Sequence, residues 1–594
     1  MKKLLSLILM LPVLALAQSQ DQNYIKSTTY KAAGATNPVV QIAYFDGLGR
    51  PILQIAKGQS NSGKDIVTHT EYDAFGRQAK EFLPYANTSS SLNYNPNAGS
   101  ETATFYNTAA YENTANPYSE KLFEASPLNR ITKQAAPGAS WAMGSGHEIK
   151  LDAQTNAANE VKRLTATTTW SAGKGLYEIN AIDNNYYVTG TLYKTVTKDE
   201  NWTSGDNNTT QEFKNKNGQI VLKRAFNNNT PHDTYYIYDK RGNLSYVIPP
   251  LAEAAITQPI LDGLCYQYKY DYRNRLAAKK LPGKQWEYIV YDRLDRPVAT
   301  GPAFSPFGDG TVGMTITEYD AFGRVTQTGW KTMTVTESNR NTWQGNINSG
   351  SNPFILTTND ILSKNYYDNY SYSGAPSLPI TVEGQPATAA VKGMPTGTWL
   401  RLMTSPTALY GAISYTLYDT KYRPIRSHAQ NPVGGYTRTD SKLDFIGKTL
   451  YTKTFHKKAS ADTEIVITDT FTYSAQDRLL LHTQQIGSGT VQLIASNTYD
   501  ELGQLTSKNV GGVDATGALG LQKVDYTYNI RGWLKGINDT ANLTQGSDPQ
   551  DLFAFKLNYQ DNDTGGSFSV PNLYNGNISE TFWRTKSDNV LRKY

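Results

Sequence analysis

Gly144-Ser145-Gly146-His147-Glu148 places a hydroxyl beside an imidazole and a carboxylate, the groups from which an acyl-transfer nucleophile is assembled. A nucleophile elbow needs glycines two residues either side of the serine on a strand-to-helix turn, whereas here they flank Ser145 directly, so the stretch reads as a turn. His69, His147, His232, His428, His456 and His482 lie without ligand spacing, and the chain has no HExxH or CxxC pair. They read as structural or solvent-facing. Asp561-Asn562-Asp563-Thr564-Gly565-Gly566 begins like a calcium loop, with oxygen donors at alternating positions, but the position for the bidentate glutamate holds Asn572. A flexible acidic turn is the simpler reading, and we assign no catalytic, cofactor-binding or metal residue and expect no cofactor.

One set of carboxylates does recur at fixed spacing, always after tyrosine and three residues before glycine or a substitute. It comprises Tyr72-Asp73-Ala74-Phe75-Gly76-Arg77, Tyr238-Asp239 with Gly242, Tyr270-Asp271 with Asn274, Tyr291-Asp292 with Asp295, Tyr319-Asp320 with Gly323-Arg324, and Tyr499-Asp500 with Gly503. That spacing argues for turn capping rather than acid-base catalysis: Asp accepts N–H groups just ahead, and the fourth position takes a residue that tolerates positive φ. Tyr422 occupies that position in Tyr418-Asp419-Thr420-Lys421-Tyr422-Arg423, where a bulky side chain predicts a longer or differently shaped turn.

The elements that carry these turns are strands. Tyr266, Tyr268, Tyr270 and Tyr272 alternate with Gln267, Lys269, Asp271 and Arg273, which predicts a strand with a dry aromatic face and a wet charged one. The unit is a strand-turn-strand cassette, and it repeats from about Tyr44 to Tyr594. Between cassettes, 87–116, 339–353 and 373–398 are polar or rich in Gly, Ser, Pro and Asn and read as loops or rim insertions. Residues 252–261 read as a short helix or loop.

The repeated YDxxGR pattern resembles the RHS/YD-repeat family, and the segment from Tyr118 to His147 resembles the uncharacterised domain that precedes the repeats in exported bacterial members. The resemblance implies a long β-sheet wound into a hollow shell that encloses a toxic C-terminal polypeptide or serves cell-surface contacts. Members that cleave themselves carry an acidic site near an Asp-Pro-x-Gly sequence. Asp548-Pro549-Gln550-Asp551 lacks that glycine, and no cleavage residue is carried over. Against the family pattern, the chain is expected to lack the C-terminal core and toxin region.

Met1 to Ala17 combines Lys2 and Lys3, an apolar run and a small-x-small end at Ala15-Leu16-Ala17, the features of a signal peptide cleaved after Ala17. The run is shorter than the roughly 20 apolar residues a spanning helix needs, and no later segment reads as transmembrane. The composition fits an exported β protein: 41 tyrosines, and one cysteine, so no internal disulfide. A formal charge of +5 over 594 residues, without a basic groove-reading motif, gives no case for nucleic-acid binding. The expected organisation is a signal peptide (1–17), a small β-rich domain of unknown function (18–159) and a YD-repeat region (160–594), all-β, with the cassettes in a long curved or spiralling sheet forming a partial β-shell. The expected function is a non-enzymatic exported scaffold, periplasmic, cell-surface or secreted, that encapsulates or presents a C-terminal polypeptide toxin. The alternative is an adhesion or glycan-binding module that uses exposed tyrosines such as Tyr268.

Overall fold

The computed structural model describes residues 22–32, 38–88, 90–253, 256–563 and 570–594. The expected signal peptide with Ala17 lies outside the described residues, as does the end of the 561–566 turn.

Two sheets carry the chain. The smaller is antiparallel, formed by Asn23–Thr29, Val39–Phe45, Pro51–Ala56, Ile66–His69 and Tyr85–Ala86. Alternation along its strands turns Val40, Ile42, Tyr44, Leu53, Ile55 and Val67 to one buried face. Burying each such side chain contributes about 1.5–3 kcal/mol. The helix Ala98–Tyr106 packs on this face, inside the stretch expected to be a polar loop. Its composition gives little helical preference, but Ala98, Thr102 and Tyr106 recur every fourth residue and are buried, and the Tyr106 hydroxyl donates to the Pro84 carbonyl. Tertiary burial overrides the polar composition.

The larger sheet is a single antiparallel ladder. It starts at Lys80–Phe82, continues through Tyr118–Phe123, Ile131–Ala135, Ile149–Thr155, Tyr193–Lys198 and Thr209–Lys214, and then proceeds mainly strand by strand to Arg592–Lys593. Strands between 80 and 155 therefore pair into the same ladder as the repeats. The pairings trace a path with two ends: among the described residues, none joins Arg592–Lys593 back to Lys80–Phe82. A single bridge, Thr70 to Glu81, hands the first end over to the smaller sheet.

The hairpin Lys162–Ser171 and Leu176–Tyr186 leaves the ladder and lies across it. Leu164 and Ala166 on the hairpin, with Val161 and Leu192 at its base, close a core with Phe213, Leu222, Tyr235, Ile237, Tyr246 and Ile248. Beyond it, Glu337–Ser349 is a helix rather than the expected loop. Thr336 caps it by accepting from Asn339 N, Gly350 ends it at φ 99°, and Arg340, Gln344 and Ile347 are buried.

These two elements reverse the expected faces of the Tyr266–Tyr270 strand. Gln267 and Lys269 are the buried residues, while Tyr266 and Tyr272 are exposed and Tyr268 and Tyr270 half-buried. Gln267 Nε2 donates to the Leu261 carbonyl at 2.9 Å, from the short helix Gln258–Leu264. Lys269 Nζ lies 2.7 Å from Glu178 of the hairpin and 2.5 Å from Glu337 of the helix. The alternation of the strand is as expected, but the side chosen for burial depends on segments far away in sequence that supply matching charges.

Candidate functional site

Each cassette closes as a type I turn followed by a residue in the left-handed region. In the Asp320 cassette, Asp320 N donates to the Arg324 carbonyl at 3.0 Å and Gly323 N to the Asp320 carbonyl at 3.1 Å, with Gly323 at φ 83°. Asp320 Oδ1 accepts the N–H groups of Phe322 and Arg324, both at 2.9 Å, and Oδ2 accepts Arg324 Nε at 2.7 Å. Asp73, Asp271 and Asp292 make the same bonds, with Arg77, Arg275 and Arg296 as the closing side chains. Asp239 substitutes Asn243 for the arginine, and Asp500 takes the N–H groups of Leu502 and Gln504.

These carboxylates are occupied as hydrogen-bond acceptors. The Arg77 N–H, together with its guanidinium, holds Asp73 below the usual carboxylate range. Desolvation pushes Asp320 upward, and the Arg324 N–H and guanidinium outweigh it to give a net lowering. The arrangement is suited to holding a turn, not to passing protons. Asn274 and Asp295 fill the glycine position at φ 59° and 62°. Tyr422 does so too, at φ 63°, and the expected change of turn shape does not occur: Asp419 N reaches the Arg423 carbonyl at 2.9 Å and Tyr422 N the Asp419 carbonyl at 3.0 Å. Two hydrogen bonds and the Arg423–Asp419 ion pair outweigh the local strain.

Because the ladder is antiparallel, successive cassette turns fall along one rim, and they are stitched sideways in a way the repeat pattern did not reveal. The hydroxyls of Tyr238, Tyr270, Tyr291, Tyr319 and Tyr499 each donate to the carbonyl at the start of the second strand of the preceding hairpin, namely Ile220, Leu244, Leu276, Pro297 and Leu479. Tyr72 does the same to Pro51. In return the closing arginine lies over the next tyrosine ring: Arg275 over Tyr291 at 4.7 Å, Arg296 over Tyr319 at 4.6 Å and Arg324 over Tyr367 at 4.4 Å. The sequence signal for this coupling is the constant presence of a tyrosine and a basic or amide residue at opposite ends of each turn.

At the far end of the rim the smaller sheet covers the turns. Asn61 N donates to the Glu501 carbonyl at 3.1 Å, Gln476 Nε2 to the Gly58 carbonyl at 2.8 Å, and Lys31 pairs with Asp477 at 2.6 Å. Leu502 and Ile530, at turn tips, pack on the core of the smaller sheet, whereas Leu294 and Phe322, in the same turn position as Leu502, are exposed. The seam continues with Glu200–Arg531 and Glu112–Lys535 pairs. His147 belongs to it as well. Its ring stacks on Tyr574 at 3.3 Å, and Nδ1 lies 2.8 Å from the Glu200 carbonyl, while Glu148 binds Lys133. The Ser145 hydroxyl accepts the His147 backbone N–H. Among the described residues, no group of three His, Cys, Asp or Glu is placed to hold a metal ion, and no helix is long and apolar enough to cross a membrane.

Residues 18–155 match a family model described as a domain of unknown function, DUF6443. No curated protein matches the chain. Among solved structures, the chain is similar to crystal structures of TcdB2-TccC3, at 15% identity over 96% of this chain and 27% of that one, and of TcdB2-TccC3-Cdc42, at 14% identity over 96% and 26%, each with a TM-score of 0.52. The chain thus spans about a quarter of the length of the chains it matches. The likeness shows that this nearly all-β ladder has the fold of part of TcdB2-TccC3.

Proposed function

We propose that the chain is a non-enzymatic, exported scaffold: the N-terminal part of an RHS-like β-shell that encloses or presents a polypeptide. The observation that carries this reading is the continuous ladder whose turn rim is capped at one end by its own N-terminal sheet, in a fold shared with TcdB2-TccC3 over 96% of the chain. A sheet of this length with stitched turns gives a rigid wall. The cassette carboxylates are occupied within their turns, which supports a structural role.

Protease protection tests it. The chain is expressed alone and with a flexible polypeptide fused after Tyr594, together with the reading frame that follows it. The fused polypeptide is expected to resist protease and to give internal density in electron microscopy. Digestion at the rate of the free polypeptide under both conditions would overturn the shell reading.

A further inference from the structure

We propose that the groove between the 162–186 hairpin and the turn rim is a binding site for acidic polysaccharide. A cleft of about 500 Å³ opens there, lined by Arg163, Thr165 and Thr167 of the hairpin and by Lys216, Tyr238 and Lys240 of the rim. Lys216 and Lys240 are exposed and make no ion pair among the described residues. Of the lining residues, Asp239 carries a carboxylate, which is bonded within its own turn, and the two lysines outnumber it.

Beside the cleft, from Arg241 to the next turn of the rim, stands an aromatic corner. Arg241, next to Lys240, holds its guanidinium 3.7 Å over the Tyr177 ring, and Tyr177 meets Trp170 edge-on at 5.1 Å. Trp170 in turn meets Tyr272, from the following turn, at 6.2 Å and 89°. Trp170 is 40% exposed and Tyr272 57%, although each is fixed by ring contacts. Three successive turns therefore present cations first and open aromatic faces next.

This combination selects the ligand class. Lysine ammonium groups at the cleft suit carboxylate or sulfate groups. Rigid amphipathic rings give contact area to the apolar faces of sugar rings while their polar tips stay in water. Single-stranded nucleic acid also wants cations and aromatics, but it stacks successive bases on faces that follow the strand. Trp170 and Tyr272 stand at right angles and form a corner, which suits one saturated ring against each wall.

The test uses the full chain and isothermal titration with polygalacturonate, its neutral methyl ester and a single-stranded oligonucleotide. Polygalacturonate is expected to bind, more weakly as salt is raised, and the methyl ester at least tenfold more weakly. Lys216→Glu with Lys240→Glu should abolish polygalacturonate binding, and Trp170→Ala should weaken it at least tenfold. Should Trp170→Ala perturb folding, Tyr272→Ala, with its exposed ring, carries the same expectation at an unchanged melting temperature. Absence of polygalacturonate binding, binding indifferent to these variants, or tighter oligonucleotide binding through the same residues would each overturn the assignment. Protease protection of a fused polypeptide does not involve this groove, so the site and the scaffold reading fail separately.

Discussion

Trp141 Nε1 donates a 2.7 Å hydrogen bond to the carbonyl of Tyr574, a residue 433 positions further along the chain. The indole is 2% exposed, meets Trp533 edge-on at 5.6 Å, and lies with Trp533 against the Arg531 guanidinium. It fastens the N-terminal third of the chain to the last strands at a place where, among the described residues, no strand pairing joins them. Trp141→Ala should cost about 3–5 kcal/mol by leaving a cavity, and Trp141→Phe about 1–2 kcal/mol through the lost N–H bond and reduced packing. Hydrogen exchange around 570–585 should rise in both variants while the 286–330 hairpins stay protected. Equal loss of protection in both regions would show that the seam is not a separate unit.

The cassettes predict a coupling that a single substitution would hide. Arg296 closes the Asp292 turn and lies over Tyr319, whose hydroxyl binds the Pro297 carbonyl. A double-mutant cycle with Arg296→Met and Tyr319→Leu should return a coupling of about 0.5–1 kcal/mol, measured from denaturant midpoints. The same cycle between Arg296 and Tyr499, two residues in different cassettes with no shared partner, should return a value close to zero.

Stability against pH should show contributions of opposite sign. Asp46, Asp73 and Asp419 have carboxyl pKa values lowered in the fold, so their contribution is present above the unfolded value near 3.8 and is lost as pH falls through the folded values. Asp551 is different. Burial, reinforced by Asp525, Asp548 and Asp539, pushes it up to about 6. Its contribution is present below 3.8 and is lost as pH rises through about 6. Asp551→Asn should therefore stabilise the chain at pH 7–8, by about 1 kcal/mol after allowance for solvent screening, and leave it unchanged below pH 4. Asp419→Asn should flatten the acid limb instead. Unfolding midpoints across pH 3–8 distinguish the two.

The cassette turns were legible in the sequence because their bonds are local: Asp73, Phe75, Gly76 and Arg77 close a turn among themselves. The strand alternation was legible for the same reason. Which face is buried was not, since Lys269 is paid for by Glu178 and Glu337 from segments on either side of it in sequence. Nor was the helix Glu337–Ser349, whose buried face sets the polar Arg340 and Gln344 beside a single buried isoleucine, Ile347. The seam was hidden further still, because Trp141, Glu112 and Gly58 carry no motif that names Tyr574, Lys535 or Gln476 as partners.

Tyr422 offers a test of what the turn asks of its fourth residue. At φ 63° a non-glycine residue costs about 1–2 kcal/mol, and glycine gives back about 0.5–1 kcal/mol of that through its greater freedom in the unfolded chain. Tyr422→Gly should thus stabilise by roughly 0.5–1 kcal/mol. Gly323→Tyr, the reverse change at φ 83° in an equivalent turn, should destabilise by a similar amount. If Tyr422→Gly destabilises, the half-exposed ring is making contacts worth more than the strain.

Arg340 is the most exacting position in the helix that crosses the ladder. Its side chain is fully buried, with Nε donating to the Ile289 carbonyl at 2.9 Å, Nη1 to the Gly175 carbonyl at 3.1 Å, and Nη2 lying 3.6 Å from Asp271 Oδ2. It thereby joins the helix, the hairpin tip and a cassette aspartate. Truncation strands the two carbonyls and leaves Asp271 with Arg275 as its remaining charged partner, so Arg340→Ala should cost about 3–5 kcal/mol. Arg340→Lys keeps the charge but supplies one donor point instead of a fork, and should recover less than half of that. Asp271→Asn in the Arg340→Ala background should add less than in the wild-type chain, because both changes break the same junction. Additive losses in denaturant titrations would show that Arg340 and the Asp271 turn contribute independently.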